Sequence, residues 1–177
     1  LDAATLRLAQ RAAHLRVRAV VAVHEPLADT LRPILTHPDD LGDDVLEWLA
    51  LRGRPLAPAP AAIVRRVMGR ADRREPLREL LEAMGESERT ARHRMRVDGL
   101  PPPSAWHQVA RALHAALRIQ AQPDAALAPL ALALGYADRS GLSWQLTRTF
   151  GVTPVAVRGT LGWEWLLDRW LAGRCRP

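Results

Sequence analysis

The chain has 177 residues, 48% hydrophobic and 25% charged, which excludes a disordered or fibrous chain and suffices to bury a core without disulfide or metal staples. Its only cysteine, Cys175, can form neither an internal disulfide nor a cysteine-based zinc site. The longest apolar run, 125–134, is half a membrane span and contains Pro129, so a soluble, cytoplasmic protein with no membrane partner is expected. No charged-then-apolar leader is visible, and the missing initiator Met predicts a fragment or a processed chain.

All 25 basic residues are Arg, which fits either a GC-rich coding sequence or a need for arginine chemistry. Their placement is more informative. Residues 1–62 carry 7 Arg against 8 acids, whereas residues 63–177 carry 18 Arg against 11 acids. An excess confined to the C-terminal two thirds is expected of a domain that meets a polyanion.

In chain order, the pattern predicts a helix over 3–15 and then a buried strand over 17–23, where Val17, Val20, Val21 and Val23 crowd into seven residues. One strand makes no sheet, so its partner must come from upstream sequence, an unrecognised segment or a second subunit in a homodimer. Pro26 ends the strand, a short helix or turn follows to Leu35, and Asp43 or Asp44 is expected to cap a helix through Leu51. The stretch 52–60, RGRPLAPAP, reads as a linker. Residues 1–60 thus read as a partial α/β N-terminal module, faintly similar to part of a receiver-type domain but without a phospho-acceptor constellation. It suits dimerisation or support.

Beyond the linker every segment is helical: 61–69, 76–84, 87–97, 104–120, 127–134, 139–150, 154–158 and 161–172. Overall the chain is expected to be mainly α, with an all-α domain over 61–158 and a Trp-rich helix over 159–177. Leu77, Leu80, Leu81 and Met84 repeat at helical spacing, Gly85 suits a left-handed turn, and Ser87 can cap the next helix. A helix, a glycine turn and a second capped helix make a helix-turn-helix, whose second helix can enter a major groove. There Arg89, Arg92, His93 and Arg96 share one face, opposite Ala91 and Met95. The alternative is a solvated arginine face.

A second copy follows. The apolar helix 127–134 ends at Gly135, and Asp138 can cap a helix with Leu142, Leu146 and Phe150 inside and Arg139, Ser140, Gly141, Trp144, Gln145 and Arg148 outside. Gly151 ends it, and Thr153-Pro154 opens the next. The stretch Leu130-Ala131 … Leu134-Gly135-Tyr136-Ala137-Asp138-Arg139-Ser140-Gly141-Leu142-Ser143 … Phe150-Gly151-Val152-Thr153-Pro154 resembles the second helix-turn-helix of the AraC-type family of bacterial transcription regulators. The resemblance extends back over 75–120, where Glu86-Ser87-Glu88-Arg89-Thr90 looks like the start of the first recognition helix, and covers about half the chain. It implies a double helix-turn-helix domain that binds double-stranded promoter DNA, with Ser87, Arg89, Arg92, His93, Arg96 and the outer residues of 139–150 as its contacts.

The intervening helix, 104–120, with Trp106, Val109, Leu113 and Leu117 on one stripe, would hold the two recognition helices in successive grooves. Two departures weaken the second unit: Trp144 and Thr147 stand where the family has basic residues. Trp144 is expected to pack against the C-terminal tail, the alternative being a thymine methyl or a sugar.

His37, Asp39, Asp40, Asp43 and Asp44 imitate a metal cluster but are read as capping residues, and no metal or other cofactor is expected. No nucleophile elbow, phosphate-cradling loop or paired-acid motif points to catalysis. In the tail, Trp163, Leu166, Leu167, Trp170 and Leu171 form one face, read as packing within the chain. The rival to a DNA-binding regulator is a protein-protein interaction module on the same helical scaffold.

Overall fold

The computed structural model describes residues 32, 35–38, 40–70 and 75–174. The expected helix over 3–15 and strand over 17–23 lie outside them, and the two-fold strand pairing with them. Among the described residues the regular elements are helices: α1 Leu41–Leu51, α2 Pro58–Arg70, α3 Leu77–Glu82, α4 Glu88–Val97, α5 Pro103–Ala121, α6 Leu127–Ala133, α7 Arg139–Phe150, α8 Pro154–Gly159 and α9 Glu164–Arg174. The protein is mainly helical. No strand is present among these residues, so the α/β character expected of 1–60 gains no support.

Helix α1 starts earlier than its acidic residues imply. Asp40, not Asp43 or Asp44, is its cap: one carboxylate oxygen accepts from the amides of Gly42 at 2.8 Å and Asp43 at 3.2 Å. Starting there puts Leu41 in the core and leaves Asp43 and Asp44 in the first turn, where negative charge suits the dipole. Asp43 also pairs with Arg65 of α2 at 2.5 Å.

The segment 52–60 does not separate α1 from α2. Pro58 and Pro60 occupy the first turn of α2, where amides need no intrahelical acceptor, so the prolines begin a helix rather than forming a tether. Leu41, Val45, Trp48 and Leu49 of α1 share one core with Ile63, Val64, Val67 and Met68 of α2. Residues 41–51 therefore belong with the helical domain, and the boundary expected at 52–60 does not divide them from it. The two helices cross closely at Gly42, where a Cβ would lie 2.4 Å from the carbonyl oxygen of Arg65.

Helix α5 is the pillar of the fold and packs against α2, α3, α4, α7, α8 and α9. Beyond the expected stripe of Trp106, Val109, Leu113 and Leu117, it buries Ala105, Ala110, Ala112, Ala115, Ala116, Ile119 and Gln120. The alanines let neighbours approach from several sides, which a stripe count misses. Gln120 is a fully buried polar residue with its amide satisfied: its nitrogen donates to the carbonyls of Thr160 at 2.8 Å and Gly162 at 3.0 Å, and its oxygen accepts from the Gly162 amide at 2.9 Å. That clamp fixes the turn leading into α9.

The tryptophan tail folds inward. Trp163, Leu166, Leu167 and Trp170 are buried, with Trp163 edge-on to Trp48 of α1 at 6.0 Å and Trp170 edge-on to Trp106 of α5 at 4.9 Å between centroids.

Candidate nucleic-acid interface

In the first unit, Leu80 and Leu81 anchor α3 on the core. The chain then turns through Gly85 at φ +70, with the Glu86 amide donating back to the Leu81 carbonyl at 2.9 Å. Ser87 caps α4, its hydroxyl accepting from the Thr90 amide at 3.1 Å. Only Ala91 and Met95 of α4 are buried. Between them the other face stands in solvent, carrying Arg89, Arg92, His93 and Arg96.

These side chains are lightly held. Arg92 lies 4.0 Å from the Glu88 carboxylate, and a guanidinium nitrogen of Arg96 lies 3.3 Å from Nδ1 of His93. Exposed pairs of this kind cost little to break. Arg94, on the flank of the helix, is instead tied to Glu86 in the turn.

The second unit repeats the arrangement. Leu130 and Ala131 bury α6, Gly135 turns at φ +83, and Asp138 caps α7 by accepting from the Gly141 amide at 2.7 Å. Helix α7 has the bounds its chemistry dictates, from the Asp138 cap to Gly151 at φ +68, and buries Leu142, Leu146 and Phe150. Thr153 caps α8 in the same way, accepting from the Ala156 amide at 3.3 Å.

The outer residues of α7 differ in availability. Arg139 and Ser140 are exposed, while Gly141 is half-buried in the first turn. Gln145 is half-buried and donates to the Gln108 carbonyl of α5 at 3.2 Å. Trp144 does not pack into the tail: it is 61% exposed, with the Arg148 guanidinium 5.0 Å from its ring centroid. The tail's tryptophans Trp163 and Trp170 pack instead on Trp48 of α1 and Trp106 of α5.

Between α5, α7 and α9 runs a groove of about 550 Å³, to which His107 and Arg111, Trp144 and Arg148, and Arg169 and Trp170 contribute. Arg111 and Arg169 are invisible to sequence reasoning, since each sits in a helix assigned to the core. Their only signal is that each falls off the apolar stripe of its helix. Arg169 donates from Nε to the Phe150 carbonyl at 2.9 Å, and Arg111 lies 5.6 Å from the Tyr136 ring centroid.

Burial pushes the His107 imidazole below its ordinary pKa; the hydrogen bond between Nε2 and the Glu75 carbonyl at 3.1 Å works against this, and Arg111 adds to it. Burial likewise raises the Tyr136 hydroxyl, with Arg111 opposing.

Among the described residues no group of three or more His, Cys, Asp or Glu could hold a metal ion, and no helix is long and apolar enough to cross a membrane. Helix α5, of 19 residues, spans roughly 28 Å between the two units. Comparison of the chain with protein-family models, with curated proteins and with solved structures found no match.

Proposed function

We propose that this chain is a DNA-binding transcription regulator of the AraC type, engaging promoter DNA through two helix-turn-helix units. The observation that carries the reading is the face of α4: Arg89, Arg92, His93 and Arg96 stand in solvent on a capped helix whose reverse side, Ala91 and Met95, is fully buried. A helix so mounted offers guanidinium forks to guanine edges and phosphates. The second unit, joined by α5, supplies Arg139, Ser140 and Arg148 to a neighbouring groove.

The test is a gel-shift series in rising salt on duplexes selected from a random pool. Binding that weakens steeply with salt supports the reading, since phosphate contacts release counterions. Changing Arg89, Arg92, His93 and Arg96 together to Ala should abolish preference for the selected site. Unchanged affinity in that variant would remove α4 as the DNA surface.

A second reading, an adaptor on a helix-turn-helix scaffold, draws support from the exposed Leu132, Trp144 and Val155 of the second unit. It predicts negligible binding to any duplex even at low salt.

A further inference from the structure

The two units differ in what they leave available. On α4, Arg89 is exposed and the other cations are held by weak surface contacts. On α7, the Gln145 amide is engaged by the Gln108 carbonyl, and the exposed Trp144 has the Arg148 guanidinium over its ring. This is a poor set for reading base edges, which takes freely directed donors and acceptors.

The groove flanking α7 has the opposite character. Arg111, Arg148 and Arg169 come from three different helices, and among the described residues no Asp or Glu lines the groove and none of the three is in an ion pair. Arg169 uses Nε on the Phe150 carbonyl, which fixes the guanidinium, and among the described residues its other donors have no hydrogen-bond partner. Three arginines lining one groove with no carboxylate among its described residues make it a cationic surface, which an anion would neutralise. Trp144 adds a flat apolar surface at the rim, suited to a deoxyribose.

We infer that the groove between α5, α7 and α9 is a clamp for the DNA sugar-phosphate backbone, holding a strand through Arg111, Arg148 and Arg169, so that α4 reads sequence while the second unit supplies affinity. The inference rests on the proposed DNA binding and assigns its two components to different places. Phosphates take any cation at the right position, so a clamp adds equally to every sequence and contributes to the salt dependence.

The experiment measures affinity against salt on the best selected duplex and on scrambled duplexes, using the full chain. Arg111→Gln with Arg148→Gln should weaken all duplexes by the same factor and lower the salt slope by about 1 per arginine. Arg111→Lys with Arg148→Lys, which keeps the charges, should restore the slope. Arg65→Gln with Arg78→Gln removes two charges elsewhere and should leave it unchanged. Circular dichroism melting of each variant separates lost folding from lost contacts, and Arg148→Gln alone, at an exposed position and expected to lower the slope by about 1, carries the test if the double Gln variant unfolds.

A slope that is unaltered in the Gln variant, or lowered equally by the Arg65 and Arg78 changes, overturns the clamp while DNA binding stands. A changed base preference in the groove variant overturns it too, by making α7 a reader. Failure of the unmodified chain to bind any duplex overturns the DNA-binding reading itself and the clamp with it.

Discussion

Arg52, just past the end of α1, and Asp168, in the middle of α9, meet in a two-pronged ion pair: Nε to one carboxylate oxygen at 3.1 Å and a terminal nitrogen to the other at 2.7 Å. The same guanidinium lies 4.0 Å from the ring centroid of Trp48, which itself packs on Trp163. The pair thus bolts α1 to α9.

Because both partners are nearly half exposed, the ion pair alone should be worth well under about 1 kcal/mol, but Arg52 also shields Trp48. Arg52→Ala is expected to cost more than Asp168→Ala, by roughly 0.5 to 1 kcal/mol. Urea unfolding of the two single variants and the double one gives the comparison, with the double-mutant cycle isolating the coupling. Equal losses would mean that the ring contact adds nothing.

The tail is structural. Leu166→Ala, at a fully buried position, should lower stability by about 2 to 5 kcal/mol, and truncation after Gly159 should remove cooperative melting altogether. Thermal unfolding followed by circular dichroism checks both. An unchanged melting temperature in the truncated chain would show that the tryptophan face is not part of the core.

Two glycines should respond with opposite sign. Gly42→Ala drives a methyl to 2.4 Å from a backbone oxygen of α2, an overlap that no rotamer relieves, and is expected to cost about 1 to 3 kcal/mol. Gly69→Ala, near the end of α2, meets only the Asp40 carboxylate at 3.4 Å and should be neutral or stabilising by up to about 1 kcal/mol. Denaturant midpoints measured side by side decide it.

His107 makes stability fall with acid. Its pKa is lower in the folded chain than its unfolded value near 6.5, so the unfolded chain binds the extra proton first. The stability is complete above about pH 6.5 and is lost as pH falls from there through the folded pKa. His107→Gln, which can keep a donor toward the Glu75 carbonyl, should flatten that part of the profile. Melting temperatures of both proteins between about pH 7.5 and 5 give the slopes, and parallel curves would assign the acid sensitivity elsewhere.

The parts of the fold legible in the sequence are those fixed by local chemistry. Helix α7 can be bounded from sequence because Asp138 and Gly151 each satisfy a backbone requirement that few residues meet. The caps Ser87 and Thr153 are legible for the same reason. Signals with two physical meanings mislead. Proline ends a tether or opens a helix equally well, and only the packing of α1 on α2 decides which at Pro58 and Pro60. Clustered aspartates offer several caps, and burial of Leu41 selects Asp40. The groove is illegible because Arg111, Arg148 and Arg169 are far apart in sequence, and only the α5, α7 and α9 packing brings them to one place.

The burial of α5 on so many sides makes the domain indivisible. Neither helix pair, α3 with α4 or α6 with α7, owns its core: each completes its interior with a side of the same central helix, and the tail closes one side through Trp106 and Trp170. Separated, each half would be near the size at which a core becomes marginal and would have lost its principal wall. A single cut in the short connection after Ala121 should therefore unfold both halves together rather than release two working pieces. It follows that the unit of inheritance is the whole bundle, since a half passed on alone would not fold.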